Sequence, residues 1–499
     1  MLNVDRTIST ALAHEKSGQA KEAERKYLKV LEIFPENPRA KAGLQRLSKE
    51  LKEPEANPIE ESLQKLIEIY NKGNFDTVIE SSAGMLECYP DAPLIWNIMG
   101  AAQFELGYLK EAVDAFEKVT VLSPDYAAGH NNLGNVFQSQ RKFKMAENCY
   151  LTAIKLYPNY AVAQYNLAET STKMGKIERA LALHTTALKL KPDYVKAYIQ
   201  RNRLLIQLFS KTASTSKHFS QQNKELMFLL TANPLHLIYC AVNSFVLNDW
   251  EQCKSYLKNY DALNAAKETS QLKAKDQKFC HAYNGFLRLL LAIPKNRHQN
   301  NQSKAYHLGD SHCLSYANNY IKIRDQEFLI SPKVIFGAKA FHFCKDSDNE
   351  FKALTQHNLR SIPKGSVVFL SFGEIDCRHD EGIIIAAKKL ECHLEELVKE
   401  TVTGFVTWFL KENRNNNHDY YFFNLPAPVH NKDLSQQSNS EVAMTVKLFN
   451  QTLESLLHTS SATIINIYNL TSNNRGFSNG AFHCDITHLH GKILDFLHI

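Results

Sequence analysis

The sequence lacks long hydrophobic runs, and no stretch approaches the about 18 uninterrupted apolar residues that a membrane-spanning helix needs. It also lacks a long lysine- or arginine-rich segment, and 58 basic against 52 acidic residues leave a net charge of only +6. We therefore expect neither a nucleic-acid partner nor an anchor for anionic membranes. The N-terminus shows no basic segment followed by an apolar one, so a secretory signal is not expected.

Clustered cysteines are absent as well. The ten cysteines are scattered along 499 residues, which favours reduced thiols and a cytoplasmic location. Histidines and cysteines do occur near the candidate site described below, but their spacing matches no metal-binding pattern, and we expect no metal and no cofactor. The residues considered for a metal are His312, His379, His483, His490, Cys313, Cys377 and Cys484.

The first 200 residues contain an internal repeat. A proline recurs every 34 residues, at Pro90, Pro124, Pro158 and Pro192. Small residues recur at the eighth and twentieth positions of each unit, for example Gly100 and Ala112, and bulky residues recur at the fourth, seventh and twenty-fourth positions. This spacing resembles the tetratricopeptide repeat, which implies pairs of antiparallel helices that stack into an all-α solenoid. A weaker unit precedes the array and ends near Pro35.

The chain changes character after a polar stretch at 294–303. Apolar runs of strand length alternate there with helical patterns, which predicts a parallel sheet with helices on both faces. The strands are expected at 304–308, 333–336, 366–372, 419–425 and 462–469, and helices at 386–412 and 440–458. We expect four segments: a divergent unit and linker at 1–58, a core array at 59–194, degenerate helical repeats at 195–297 with a polar loop at 210–217, and an α/β domain at 304–499.

The tripeptide Gly309-Asp310-Ser311 follows the first predicted strand and precedes a helical pattern at 314–323. A serine on such a turn is exposed beside a helix N-terminus, where an acyl-transfer nucleophile is favoured. The alternative is an ordinary turn with a helix-capping serine.

Asp485 and His488 lie three residues apart near the end of the chain, a spacing that would place them on one face of a helix. The carboxylate could then orient the imidazole, which could take the proton of Ser311. The alternative for His488 is an ordinary surface histidine.

Together these residues resemble the SGNH/GDSL hydrolase superfamily over 304–499. The resemblance implies a flavodoxin-like α/β fold, with Ser311 as nucleophile and Asp485 and His488 as its partners. It also implies that Gly337 donates its N–H to the oxyanion. The segment that begins at Gly373 carries Ile375 where the family has an asparagine donor, and losing one such donor costs about 10²–10³ in rate.

Other polar residues follow the third and fourth strands. Arg378 could replace the missing oxyanion donor, although Glu374, Asp376 and Arg378 could equally form a structural ion network. Asn424 could line the pocket, although a turn role is more common at such a position. The candidate oxyanion and substrate-binding residues are Gly337, Gly373, Asp376, Arg378 and Asn424.

Asparagines recur on the first helices of the repeats, at Asn97, Asn131, Asn132, Asn135 and Asn166. They resemble the asparagine ladder of the protein O-GlcNAc transferases, which implies a groove that binds an extended protein or peptide partner. The alternative is that these amides only bridge neighbouring helices.

The expected function is that of a serine esterase or acyl-transfer enzyme with a repeat platform for a protein partner. A carbohydrate O-acetyl ester is the substrate class that the family resemblance implies. Two alternatives stay open: a scaffold whose α/β domain is catalytically impaired, and a transferase that modifies glycans.

Overall fold

The computed structural model describes residues 4–17, 19–34, 37–50, 58–208, 232–293, 303–485 and 487–497. Pro35, the predicted loop at 210–217 and all but the last residue of the 294–303 stretch lie outside these residues. Contacts divide the chain into two units, 1–136 and 137–499, which we describe in turn. The domain boundaries expected from the sequence stay predictions.

The first unit consists of helices, and the last of them continues into the second unit. They are α1 (Val4–Lys16), α2 (Ala20–Ile33), α3 (Pro38–Glu50), α4 (Pro58–Asn71), α5 (Phe75–Cys88), α6 (Pro93–Glu105), α7 (Leu109–Leu122) and α8 (Ala127–Ser139). Within the divergent unit and linker expected at 1–58, α3 follows the weak repeat unit, and residues 51–57 lie outside the described part of the chain.

Small residues at fixed positions let the helices of a pair pack closely. A Cβ on Gly100 of α6 would lie 3.1 Å from the Cβ of Ala115 and 3.2 Å from the ring of Phe116, both on α7. The turn between these helices needs a left-handed residue, and Gly107 adopts a φ of 82° there. The spacing of small residues thus translates directly into antiparallel helix pairs.

The second unit begins with the remaining repeat-like helices. They are α9 (Phe143–Leu156), α10 (Ala161–Lys173), α11 (Ile177–Leu190) and α12 (Val195–Gln207). The next helices in the described part of the chain are α13 (Pro234–Val246), which is apolar, and α14 (Trp250–Ala265) and α15 (Ala274–Ala292), which mix polar and apolar residues. These helices lie within 195–297, where the sequence predicts degenerate helical repeats.

The rest of the second unit is built around a six-stranded mixed sheet with the strand order β2-β3-β1-β4-β5-β6. The strands are β1 (Ser303–Gly309), β2 (Tyr320–Ile323), β3 (Gln326–Val334), β4 (Val367–Ser371), β5 (Asp419–Phe423) and β6 (Thr463–Ile465). All neighbouring strands are parallel except β2, which is antiparallel to β3. The helices among them are α16 (Phe341–Cys344), α17 (Glu350–Ser361), α18 (Ile383–Leu390), α19 (Leu394–Asn413), α20 (Gln436–Leu457) and α21 (Tyr468–Thr471).

Both faces of the sheet are buried, as the alternation of side chains along its strands indicates. Val368 and Leu370 of β4 pack into one hydrophobic cluster, whereas Phe369 between them packs into another. Phe422 and Phe423 of β5 divide in the same way. Near-continuous apolar strands are typical of a sheet that is covered on both sides.

Two sequence predictions in this region are wrong. The stretch 314–323 is not a helix, because only a 3₁₀ helix at Ser311–Leu314 follows β1 and the chain then enters β2. The strand expected at 333–336 is β3, which begins earlier. Arg324, at a φ of 46°, forms with Asp325 the turn that reverses the chain from β2 into β3. This hairpin makes the edge of the sheet antiparallel.

A buried ion cluster joins the repeat helices to the sheet part of the second unit. Glu350, at the start of α17, accepts a hydrogen bond from Lys173 of α10 at 2.7 Å and lies 3.8 Å from the Arg203 guanidinium of α12. Burial alone would raise the pKa of Glu350, but Arg203 and Lys173 hold it below its ordinary value. The carboxylate is therefore charged, and it stabilises the junction only while both cations face it.

Glu350→Gln should destabilise the second unit by about 3 kcal/mol, because it leaves the Arg203 charge buried without the carboxylate that it faces. Chemical denaturation measures the change. Glu395→Gln is the matched control, since the Glu395–Lys399 pair on α19 is exposed and its loss should leave unfolding unchanged. If both variants had the same free energy of unfolding, the stabilising role of the cluster would be contradicted.

Candidate active site

The turn after β1 places Ser311 at the carboxyl edge of the sheet. In the strand order β1 lies between β3 and β4, so Ser311 lies between the segments that follow these two strands. Gly309 permits the turn, because a Cβ there would lie 2.3 Å from the hydroxyl oxygen of Ser371 on β4. The four-residue 3₁₀ helix that starts at Ser311 replaces the longer helix expected from the sequence.

Ser311, His488 and Asp485 form a continuous hydrogen-bonded chain. The Oγ atom of Ser311 lies 2.9 Å from Nε2 of His488, and Nδ1 of His488 lies 2.7 Å from Oδ2 of Asp485. Ser311 and His488 are 8% and 7% exposed. The structure therefore brings together the three side chains that the sequence grouped as nucleophile, base and orienting acid.

Asp485 and His488 lie at a turn, whereas the sequence analysis considered their spacing on a helix. The Oδ1 atom of Asp485 accepts hydrogen bonds from the backbone N–H groups of Thr487 at 2.7 Å and His488 at 2.6 Å. A carboxylate that accepts from the backbone two and three residues ahead favours such a turn over helix. The turn still aims the imidazole at the second oxygen of the same carboxylate.

Hydrogen bonding determines the tautomer of His488. Because the carboxylate of Asp485 only accepts, Nδ1 carries the proton and Nε2 of the neutral ring accepts from the hydroxyl of Ser311. Burial lowers the pKa of His488, against the opposing effect of Asp485. Burial disfavours the charged form of Asp485, yet the hydrogen bonds from His488 and the backbone hold its pKa far below the ordinary value. The arrangement is a neutral base beside an ionised acid.

His312 forms a second acid–histidine pair next to the first. Its Nδ1 atom lies 2.8 Å from Oδ1 of Asp310, and its Nε2 atom lies 2.9 Å from the carbonyl oxygen of Thr487. Both partners only accept hydrogen bonds, so both ring nitrogens must donate and the ring is an imidazolium. His312 thus ties the nucleophile turn to the turn that holds His488, whose ring centre lies 4.9 Å away.

The two glycines predicted at the site follow the strands on either side of β1 in the sheet. Gly337 follows β3 and adopts a φ of 71°, and Gly373 follows β4 and adopts a φ of 118°. A Cβ on Gly373 would lie 2.4 Å from the ring of Phe449 on α20. Ile375, at the position of the missing asparagine, is buried and offers no side-chain donor.

Asp376 and Arg378 are engaged in structural contacts. Both carboxylate oxygens of Asp376 accept backbone hydrogen bonds at the start of α16, from Ala340 at 2.7 Å and Phe341 at 3.1 Å. Burial raises the pKa of Asp376 to about 7. Arg378 donates through Nε and Nη2 to the carboxylate of Glu374 and through Nη1 to Glu381. Arg378 therefore forms the structural ion network that the sequence analysis gave as an alternative. Asp376 instead caps α16.

The side chain of Asn424 stabilises a turn and also lines a cavity. Its Oδ1 atom accepts from the N–H groups of Ile467 at 2.8 Å and Tyr468 at 3.0 Å, and so fixes the chain after β6. It also lines a small cavity of about 20 Å³ beside the triad. Ser311 and His488 do not line this cavity. The other lining residues are Asp310, His312, Tyr316, Ser371, Phe372, Glu374, Phe423, Leu425, Pro426 and Ile467.

One group of possible metal ligands occurs within the described residues. The nearest side-chain ligand atoms of Asp310, His312 and Glu374 lie within 4.8 Å of one another. The geometry does not fit a metal in this state, because both nitrogens of His312 donate hydrogen bonds and Glu374 binds Arg378. The remaining histidines and cysteines considered from the sequence do not complete such a group in the described part of the chain.

One residue of α15 contacts the triad and was missed from the sequence. The ring of Phe286 stacks on the imidazole of His488 at a centroid distance of 3.7 Å and an interplanar angle of 14°. No local signal identifies Phe286, because α15 reads as an ordinary helix and approaches the triad only through tertiary packing.

The repeat asparagines show one clear contact between helices. The Nδ2 atom of Asn132 on α8 donates to Oδ1 of Asn97 on α6 at 3.0 Å. This is the bridging contact that the sequence left open as the alternative to peptide binding. Asn131 is buried, whereas Asn135 and Asn166 are partly exposed.

Family models of the tetratricopeptide repeat match residues 127–160 and 149–182, and a further TPR repeat model matches 100–140. This part of the chain therefore contains tetratricopeptide repeats, which indicates a scaffold for protein interactions. No curated protein matches the chain. Among the helices that the structure describes, none has the length and apolar content to cross a bilayer.

Several solved structures are similar to part of the chain. Pseudomonas aeruginosa pilF is 18% identical over 42% of this chain and 96% of its own, with a TM-score of 0.34. A thermophilic TPR protein of Thermus thermophilus is 18% identical over 41% and 99%, with a TM-score of 0.26. The first TPR of Spaghetti (RPAP3), bound to an HSP90 peptide, is 23% identical over 24% and 94%, with a TM-score of 0.23.

The His312 imidazolium predicts how stability depends on pH. Burial disfavours the charged ring, but Asp310 raises the pKa of His312 from 6.5 to about 9. The stabilisation is therefore fully present below pH 6.5 and lost as the pH rises through 9. The free energy of unfolding should fall over this range by up to about 3 kcal/mol, at about 1.4 kcal/mol per pKa unit.

Chemical denaturation across this pH range measures the decline. His312→Gln should flatten it, whereas His281→Gln, at an exposed position of α15, should retain it. A variant at His312 that keeps the wild-type slope would show that the ring is not charged in the folded protein.

Proposed function

We propose that this protein is a serine-dependent esterase or acyltransferase. Its α/β part would have the flavodoxin-like fold of the SGNH/GDSL hydrolases, and its tetratricopeptide repeats would bind a protein or peptide partner. The observation that carries the proposal is the hydrogen-bonded chain from Ser311 through His488 to Asp485, with distances of 2.9 Å and 2.7 Å. This chain has the connectivity that activates a serine hydroxyl for attack on a carbonyl.

In the proposed reaction the Ser311 hydroxyl attacks the ester carbonyl. A bond forms between Oγ and the carbonyl carbon, the hydroxyl proton passes to Nε2 of His488, and the carbonyl π electrons move to its oxygen. Collapse of this intermediate expels the alcohol, which takes the proton from His488. Asp485 holds the tautomer and stabilises the imidazolium. The backbone N–H groups of Ser311 and Gly337 are the proposed first donors to the oxyanion.

The second half of the reaction releases the acyl group. Water or a sugar hydroxyl gives its proton to Nε2 of His488 and attacks the acyl carbon, and Ser311 leaves with the proton returned by His488. Water makes the protein an esterase, and a sugar hydroxyl makes it a glycan-modifying transferase. A carbohydrate O-acetyl ester is the proposed substrate class, from the family resemblance.

The rival function is a protein-binding scaffold whose α/β part has lost activity. Two observations favour it: Ser311 and His488 are largely buried, and Ile375 stands at the position of the asparagine donor. Arg378 does not offer an unengaged replacement, since Glu374 and Glu381 bind its guanidinium. The enzyme and the scaffold therefore differ in one measurable property, the reactivity of Ser311.

A fluorophosphonate probe should label the wild-type protein on Ser311, because the probe reacts only with a serine that a base activates. Ser311→Ala should abolish the labelling. Ser315→Ala is the matched control, since Ser315 is also buried and lies four residues further along the same turn. Mass spectrometry of the labelled peptide identifies the site. A wild-type protein that stays unlabelled would favour the scaffold.

The repeat groove should bind an extended peptide through its asparagine amides. Peptides selected from a random display library on the full chain should lose affinity for an Asn135→Ala, Asn166→Ala double variant, measured by fluorescence anisotropy. Asn148→Ala, at an exposed position on the second helix of a repeat, should not change the affinity. If the wild type and both variants bound the peptides equally well, the amides would have no role in peptide binding and would only bridge neighbouring helices.

A further inference from the structure

We propose that His312 is a positioning residue for the base of the candidate site. Its two N–H groups tie the turn of Ser311 to the turn of His488, and its positive charge keeps Nε2 of His488 free to accept a proton. The inference rests on the proposed acyl transfer at Ser311 and adds a residue that acts on it through His488. The sequence indicated His312 only as a possible metal ligand, whereas its contacts in the structure point to this other use.

The hydrogen bonds of His312 run between the two turns that have to meet. Its Nδ1 atom lies 2.8 Å from Oδ1 of Asp310, the residue before the nucleophile, and its Nε2 atom lies 2.9 Å from the carbonyl oxygen of Thr487, the residue before the base. The backbone N–H of His312 also donates to Oδ1 of Asp310 at 2.9 Å. His312 is 6% exposed, so these bonds form away from solvent. The ring therefore fixes the separation of the segments that carry Ser311 and His488.

The contacts of the ring require its positive charge. Nδ1 and Nε2 each face an oxygen that only accepts, and a neutral imidazole has a single N–H group to offer. Burial disfavours the charged form of Asp310, but His312 holds the pKa of that carboxyl below its ordinary value. Loss of the His312 proton would therefore leave a buried acceptor without its donor. The centre of the charged ring lies 4.9 Å from that of His488, where one positive charge disfavours a second.

Two further carboxylates face the histidine rings. Burial lowers the pKa of His488, Asp485 acts against this effect, and the charge of His312 adds to it. Glu374 acts on both histidines in the same direction as Asp485, but Arg378 binds its carboxylate at 2.7 Å and offsets its charge. His312 therefore supplies the positive charge that opposes Asp485 at the base.

Most of the other ionisable groups near the two turns stay neutral around pH 7. Burial lowers the pKa of His483, and it raises the pKa values of Tyr283 on α15, Cys313 and Cys484 above their ordinary values. Asp376 is the exception among these groups, because burial raises its pKa to about 7. Its carboxylate accepts from the backbone at α16 and is the same in every variant compared below. A difference between variants in pH dependence therefore reports on the two histidines.

The proposed reaction needs a base that is neutral and aligned before the attack. A protonated Nε2 of His488 cannot accept from the hydroxyl of Ser311, so reactivity is lost as the pH falls through the pKa of His488. The charge of His312 moves this loss to lower pH. The serine proton passes to His488 and then to the leaving alcohol, and His312 keeps its own protons throughout. His312 therefore acts on the reaction through His488 alone.

The rate of fluorophosphonate labelling of Ser311, measured as a function of pH, tests this role. In the wild type the rate should rise through the pKa of His488 to a plateau. His312→Gln keeps a donor and removes the charge, so the midpoint of the rise should move up by about one pH unit. The plateau rate should also fall, by up to about 10²-fold, because the turn of His488 loses its tie.

His483→Gln is the matched control. His483 is a half-buried histidine in the same segment as His488, and its Nδ1 atom lies 2.7 Å from the hydroxyl oxygen of Ser478. Because burial keeps this ring neutral, the substitution leaves the charge near His488 unchanged. The control should keep the wild-type midpoint.

A double variant covers the case in which His312→Gln alone does not fold. Asp310→Asn, His312→Gln leaves no unpaired carboxylate in the interior, and an asparagine side chain accepts the same backbone hydrogen bond as Asp310. Its midpoint should lie above that of the wild type. Where the single variant folds, the midpoint of the double variant should lie below that of the single variant, because the negative charge of Asp310 is also gone.

The outcomes separate this role from the proposed function. A labelled wild type with an unmoved midpoint in the His312 variants would overturn the role of His312 and leave the proposed function standing. A lower plateau with an unmoved midpoint would show a merely structural residue, and an equal shift in His483→Gln would show that the charge of His312 is not the cause. A wild type that stays unlabelled at every pH would overturn both proposals.

Discussion

The hydrogen bond between the Ser311 hydroxyl and the His488 imidazole joins two turns that lie 177 residues apart in the chain. Neither turn makes the site alone: the first follows the central strand β1, and the second follows the last strand, β6, before the final 3₁₀ helix. The sheet has to form in its full strand order before the two turns can meet. The candidate site is therefore a product of the tertiary fold.

Two acid–histidine pairs hold the turns together, and they have different protonation states. Asp485 accepts from a neutral His488, which leaves Nε2 available to the serine. Asp310 accepts from a charged His312, whose second nitrogen donates to the carbonyl oxygen of Thr487. The second pair fixes the backbone next to the base, and its positive charge disfavours a proton on His488. One pair therefore positions and tunes the other.

Local sequence patterns predicted the repeats and the identity of the triad residues. The period of 34 residues identifies the helix pairs. The sequence also singled out Ser311, Asp485 and His488, which the structure brings together. Their catalytic use stays a prediction. The β2–β3 hairpin was missed because β2 has only 4 residues and the turn residues, Arg324 and Asp325, are not the glycine-containing pairs that signal a tight turn. The spacing of Asp485 and His488 did not distinguish a turn from a helix, because both place residues three apart on the same side.

The contact of α15 with the triad could not have been predicted, because it depends on how helices after the repeats pack against the sheet. An apolar residue such as Phe286 is predicted to be a core residue in any helix. The local pattern does not show whether its ring packs on another helix or on an imidazole. The same holds for Glu350, whose partners Lys173 and Arg203 come from two different helices. Long-range contacts of this kind leave no periodic mark in the sequence.

Stability alone does not account for this polar cluster. Burying a charged histidine, two carboxylates and a serine hydroxyl at a sheet edge costs desolvation free energy, and well-packed apolar residues of similar volume are often as stable or more stable. The surrounding positions show that apolar packing is available, since Phe286, Tyr283 and Phe336 already fill the space around the triad. A fold that keeps two acid–histidine pairs and a serine in such surroundings retains a costly arrangement of the kind that concentrates at sites of chemistry. The burial that argues for an inactive scaffold is thus also the condition under which the proposed base, donor and nucleophile act most strongly on one another.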